Sequence, residues 1–159
     1  MMRSEQLFIF DIFNNPVFWA GITSWFLAQF LKVVIAFFDR KRHSPAYYLH
    51  MFIWATGGMP SSHSALVTSV AVAIGYTEGF SSSLFVAMLC YALLTVRDAV
   101  GVRRAAGIQA KALNHLGGEL NEKLGISYRP VKEVKGHTVT EALMGMVLGF
   151  FLAVAYCSL

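Results

Sequence analysis

Two histidines in this chain stand where phosphoryl chemistry is easy to arrange. The run Gly57-Gly58-Met59-Pro60-Ser61-Ser62-His63-Ser64-Ala65 delivers serines and a histidine to the head of an apolar stretch through a glycine and proline turn. A helix starting there presents unpaired backbone N–H groups and a positive dipole end, which attract anions, and Ser61 and Ser62 add hydroxyl donors. Helix capping by Ser61 or Ser62, with His63 merely interfacial, is the plain alternative.

The second run, Gly136-His137-Thr138-Val139-Thr140-Glu141, also opens an apolar stretch. A four-residue offset puts Glu141 on the helix face of His137, so its carboxylate can hold one ring nitrogen and leave the other as base or nucleophile. A surface pair at a positive helix end would look the same. Lys32 lies inside the first apolar stretch, where snorkelling to the interface competes with a catalytic role. Arg97, Arg104 and Lys111 recur every seven residues and stack as a cationic stripe on a continuous helix. That stripe reads either as a solvated or head-group-facing surface or as an anion cradle. Two histidines, several cations, helix-start serines and a carboxylate together suit phosphoryl transfer through a histidine. No metal-ligand spacing is present, and no cofactor is expected.

The elements that must position these groups are membrane helices. The 159 residues are 56% hydrophobic and 14% charged, against roughly 25% charged in soluble domains. This excludes an ordinary water-soluble enzyme, a disordered chain and a disulfide scaffold, and Cys90 and Cys157 both fall in apolar runs. The reading is an all-α, polytopic membrane helix bundle forming a single domain, 1–159, with about four spans at 17–38, 64–80, 82–96 and 138–159. Residues 1–16 read as an interfacial N-terminal helix and turn, 51–56 as re-entrant or interfacial, and 114–129 as a loop or broken helix. Asp39 and Asp98 read as helix-end ion-pairing acids.

Ten of the 13 Lys and Arg residues fall in the two loops after the first and third spans, and Arg3 alone lies opposite. The positive-inside rule then puts these loops, and with them Lys32, His63, Arg97 and His137, at the cytoplasmic side of the cell membrane, with both termini outside. The basic residues serve as topology anchors, so no nucleic-acid partner is expected. A homodimer is expected, through the small residues of the second span or the Gly145-x-x-x-Gly149 step.

These residues resemble the type 2 phosphatidic acid phosphatase superfamily, which includes vanadium-dependent haloperoxidases, and more closely its small divergent membrane branch. The resemblance runs from the first span to the last. It rests on Lys32, the Gly58 to Ala65 stretch, the run Arg97-Asp98-Ala99-Val100-Gly101-Val102-Arg103-Arg104-Ala105-Ala106-Gly107, and Lys132-Glu133-Val134-Lys135-Gly136-His137-Thr138. It implies that Lys32, Ser61 and Ser62 bind phosphate, His63 protonates the leaving oxygen, His137 attacks phosphorus and Glu141 orients His137, with no catalytic metal. Ser62 stands in place of the superfamily's glycine and Glu141 in place of its aspartate. Arg40 follows the lysine one position late and without the proline. Val131 occupies the place of an expected arginine, leaving Arg97, Arg104, Arg129, Lys132 or Lys135 to substitute.

The expected activity is metal-independent hydrolysis of a phospholipid phosphomonoester, of the phosphatidylglycerol phosphate or phosphatidic acid class, through a phosphohistidine. The competing expectation is a non-catalytic protein that binds or moves anionic lipid head groups with the same cations.

Overall fold

The computed structural model describes residues 11–38, 44–54, 58–134 and 136–158. Residues 1–10, most of the expected interfacial segment, lie outside these, as do Asp39, Arg40, Lys41, Arg42, Thr56 and Lys135. The described elements are all helical: α1 (Pro16–Phe38), α2 (Pro45–Trp54), α3 (Ser62–Glu78), α4 (Ser83–Arg97), a π turn (Asp98–Val102), α5 (Arg103–Leu124) and α6 (Val139–Ser158).

Local chemistry sets the boundaries. Asn15 caps α1 by accepting from the Val17 N–H at 2.8 Å, with Pro16 in the first-turn position where its missing N–H is harmless. Ser61 and Ser82 cap α3 and α4, accepting from the Ser64 and Phe85 amides at 3.3 and 3.1 Å. Gly125, in the left-handed region at φ 66°, ends α5 and donates its N–H to Asn121 at 3.0 Å.

Three helical stretches are long and apolar enough to cross a membrane: α1, the continuous 42-residue run from α4 into α5, and α6. The remaining expected span is α3, with 17 residues and so about 25 Å long. It is the central helix, packed against α1, α4 and α6, so protein rather than lipid surrounds most of it. Its composition explains this position. Ala65, Ser69, Ala71, Ala73 and Gly75 are buried, and side chains this small let neighbouring backbones come close. A Cβ on Gly145 would run into the Ser61 carbonyl and one on Gly149 into the Ala65 carbonyl. Both surfaces expected to join two copies, the small residues of α3 and the Gly145 to Gly149 step, are therefore occupied within one chain.

The expected loop at 114–129 is helix as far as Leu124. Gly117 does not break it; the glycine makes room for the Tyr128 ring, which a Cβ there would strike. From Gly125 the chain runs back along α5 without regular secondary structure. Asn114 clamps it with every donor and lone pair it has. Its amide donates to the Val131 carbonyl and Glu133 Oε1, both at 2.9 Å, while its oxygen accepts from Tyr128 Oη at 2.7 Å and the Val131 N–H at 2.9 Å. Lower down, Gly107 lies under the Val134 carbonyl and Gly136 against the Arg104 backbone. This return path carries His137 to the junction of α4 and α5.

The glycine contacts can be tested by stability. Gly149→Val overpacks the α3–α6 seam and should lower stability by about 1–3 kcal/mol. Gly118→Ala, at a helical position with open space around it, should raise it by up to about 1 kcal/mol. Thermal unfolding in mild detergent reads both. Equal, small shifts for the two variants would contradict the packing described.

Candidate active site

The site forms where the starts of α3 and α6 meet the α4–α5 junction. The Ser61 N–H donates to the Glu141 carbonyl at 2.9 Å, tying the two helix starts together. Ser61 Oγ accepts from both the Ser64 N–H and the Ser64 hydroxyl, at 3.3 and 3.0 Å, so Ser61 caps the helix. Ser62 is buried beside it, and Lys32 Nζ donates to its hydroxyl at 3.2 Å. Lys32 is 2% exposed. Its ammonium is therefore turned inward, and snorkelling does not describe it.

Thr138 and Glu141 form a reciprocal capping box at the head of α6. The Glu141 N–H donates to Thr138 Oγ1 at 3.3 Å, and the Thr138 N–H donates to Glu141 Oε2 at 2.9 Å. The same oxygen lies 3.2 Å from His137 Nδ1. A carboxylate only accepts, so this hydrogen bond places the proton on Nδ1 and leaves Nε2 with the free lone pair. Burial pushes the His137 imidazole below its ordinary pKa; the Glu141 hydrogen bond opposes this, and the charges of Lys32 and Arg103 reinforce it.

The π turn supplies the third side. In an uninterrupted helix the Arg103 N–H would bond to the Ala99 carbonyl; here it donates to Asp98 instead. The Ala99 carbonyl accepts from the His137 N–H at 3.0 Å, fixing the histidine's backbone against the turn. The wider turn also shifts the phase of everything after it, so the seven-residue repeat of Arg97, Arg104 and Lys111 does not mark one straight stripe. A cleft of about 50 Å³ is lined by His63, His137, Arg103, Asp98, Thr95, Ala99 and Val134. Arg103 Nε bonds to Asp98 Oδ2 at 2.6 Å, the helix-end pairing expected of Asp98.

The structure thus brings His63, His137 and Glu141 together, with Lys32, Ser61 and Ser62 behind them. The side chains of Arg97 and Arg104 are exposed and do not line the cleft. Arg103 does, and it acts electrostatically on both histidines. Arg103 falls outside the seven-residue repeat of Arg97, Arg104 and Lys111, so spacing alone does not single it out. Val131 is held level with Asn114, 11 residues along α5 from Arg103, or about 16 Å. A cation at position 131 would stand level with Asn114, whereas Arg103 on α5 lines the cleft. Among the described residues no group of His, Cys, Asp or Glu is gathered to hold a metal ion.

Histidine NMR in micelles tests the electrostatics directly. His137 should titrate below the free value of about 6.5, with the proton on Nδ1 when neutral. Glu141→Gln removes a charge that favours the imidazolium, so the titration should move further down. A midpoint above the free value, or an upward move in Glu141→Gln, would contradict the arrangement.

Comparison with known proteins identifies the family. A membrane protein of Bacillus subtilis (strain 168), YuiD, described as uncharacterized, is 31% identical over 153 residues, covering 89% of this chain and 94% of that protein. No solved structure matches at a significant level. The Divergent PAP2 family matches residues 13–152, a stretch that includes both histidines, α1 to α5, the return segment and most of α6; the chain belongs to that family.

Proposed function

We propose that the protein is a metal-independent phosphatase acting on a phospholipid phosphomonoester, of the phosphatidylglycerol phosphate or phosphatidic acid class, through a phosphohistidine on His137. One observation carries the reading: His137 Nδ1 is held by Glu141 at 3.2 Å in a cleft that also holds His63 and Arg103. A histidine oriented in this way offers Nε2 to phosphorus, and a second histidine beside it can handle the leaving group. Membership of the Divergent PAP2 family supports the same chemistry.

In the first step the Nε2 lone pair bonds to phosphorus and the bond from phosphorus to the lipid oxygen breaks. His63, protonated, gives that oxygen its proton and becomes the neutral imidazole, and the lipid alcohol leaves. Glu141 holds Nδ1–H and stabilises the positive charge that develops on His137. Lys32 and Arg103 spread the charge of the transferring group, and the α3 start adds N–H donors. In the second step neutral His63 takes a proton from water, whose oxygen attacks phosphorus and breaks the P–N bond. Phosphate leaves and both histidines are restored.

The basic loops support a cytoplasmic site, which suits lipids made on that leaflet. In a chain with its own cysteines replaced, His63→Cys should react with a membrane-impermeant thiol reagent from the cytoplasmic side only; reaction from outside would reverse the orientation.

Purified protein in lipid vesicles should release phosphate from lipid phosphomonoesters, and His137→Ala should reduce release to background, because a methyl group cannot replace a nucleophile. Arg103→Ala should lower kcat about 100-fold, while Arg97→Ala and Arg104→Ala change it only a few-fold. Lipid binding without turnover, unchanged in His137→Ala, would favour the anionic head-group binder instead.

A further inference from the structure

Deeper in the bundle than the polar cleft lies a second, apolar cavity. His63 on α3 and Thr95 on α4 line the cleft, and further inward on the same two helices Thr68 and Ala92 line the cavity, which is about 210 Å³ between α3, α4 and α6. Its walls are apolar: Ala71 and Ala92 leave the space between the helices, and Phe80 and Phe85 close the far end. Their rings meet edge to face at 5.2 Å. Gly75 permits this floor, since a Cβ there would strike the Phe80 ring. From Thr68 to the level of Tyr76, α3 descends about 12 Å, close to one leaflet of a hydrocarbon core about 30 Å thick.

Size and chemistry select the occupant. An apolar cavity of about 150 Å³ takes up a single benzene, and drug-sized ligands fill about 300–1,000 Å³. The space here suits a length of one flexible chain rather than a fused-ring lipid or two chains side by side. Near the mouth, Thr68 Oγ1 is buried with no hydrogen-bond partner among the described residues. It stands five residues beyond His63, about 7.5 Å along the helix, at the depth where the ester joining a chain to a phosphorylated head group would fall.

We propose that this cavity holds one ester-linked acyl chain of the substrate, with Thr68 donating to the ester carbonyl and the Phe80–Phe85 floor setting chain length. The head-group end rests on the phosphatase reading; the chain end rests on the cavity itself. The groove makes the site selective for lipid esters whose phosphate stands at His137 while one chain runs down between α3 and α4. The second chain, where present, stays in the bilayer.

The experiment uses the full chain in nanodiscs and a series of monoacyl glycerol phosphates of rising chain length, with glycerol phosphate as the chainless member. Wild-type kcat/KM should rise with length and then level off. Ala92→Phe should move that plateau to shorter chains, lowering kcat/KM for the longest about tenfold if two methylenes lose their place. Phe80→Ala should move it to longer ones. Thr68→Val should lower kcat/KM about threefold to tenfold for ester-linked substrates and leave the ether-linked analogues unchanged. A monoacyl glycerol phosphate with a photoreactive chain end supplies a readout free of turnover, and in both wild type and His137→Ala it should label Phe80 and Phe85. Labelling there without phosphate release would sink the phosphatase reading and support the groove. An identical chain-length profile in both length variants, or labels confined to the outward-facing Leu94 and Phe151, would overturn the groove. Equal loss on ester and ether substrates in Thr68→Val would overturn the ester contact.

Discussion

A single backbone hydrogen bond, from the Ser61 N–H to the Glu141 carbonyl at 2.9 Å, joins the two helix starts on which the site depends. Such a bond requires α3 and α6 to approach until main chain meets main chain, which glycine at 145 and 149 allows. In lipid there is little hydrophobic gain from bringing two helices together, so close packing and polar pairing must supply the association. Here they coincide. The seam that holds the bundle together is also the seam that sets His63 and Ser62 beside His137 and Glu141.

Glu141 shows how far one side chain can serve both ends. Its carboxylate closes the capping box that starts α6 and orients the His137 ring with the same oxygen. Helix formation and histidine orientation are thus coupled, and the ring is positioned as soon as α6 has begun. On the other side, the π turn frees the Ala99 carbonyl for the His137 N–H and turns Arg103 toward the cleft. A π turn wastes one helical hydrogen bond's ideal geometry, and such turns are found frequently at functional sites.

Much of this was legible in the residues. Apolar length and charge distribution announce helices and spans, because each depends on composition over many residues. The pairing of His137 with Glu141 follows from a four-residue offset, a local relation that a helix start preserves. Asp98 pairs as its surroundings suggested. What spacing could not show is the π turn, since a widened turn differs from a regular one by a small conformational preference and not by pattern. That one feature sets the phase of α5, with Arg103 at the cleft and Arg104 away from it, while Arg97 precedes the turn and is exposed. The helix through Gly117 and Gly118 was hidden for a related reason. Glycine weakens a helix locally, yet the packing of Tyr128 on Gly117 depends on its having no side chain. The Gly145 to Gly149 step was visible as a close-packing motif, but sequence alone does not say whether its partner is another chain or, as here, α3.

Rapid quenching followed by mass spectrometry of the intact protein reveals whether His137 becomes phosphorylated. With a phosphate ester whose leaving group needs no proton, His63→Ala should still form the phosphoenzyme but break it down slowly. An acid-labile phosphate on His137 should accumulate in this variant and be absent from His137→Ala. Continuing phosphate release with no phosphate on His137 in any variant, or the same adduct in His137→Ala, would contradict a phosphohistidine on His137.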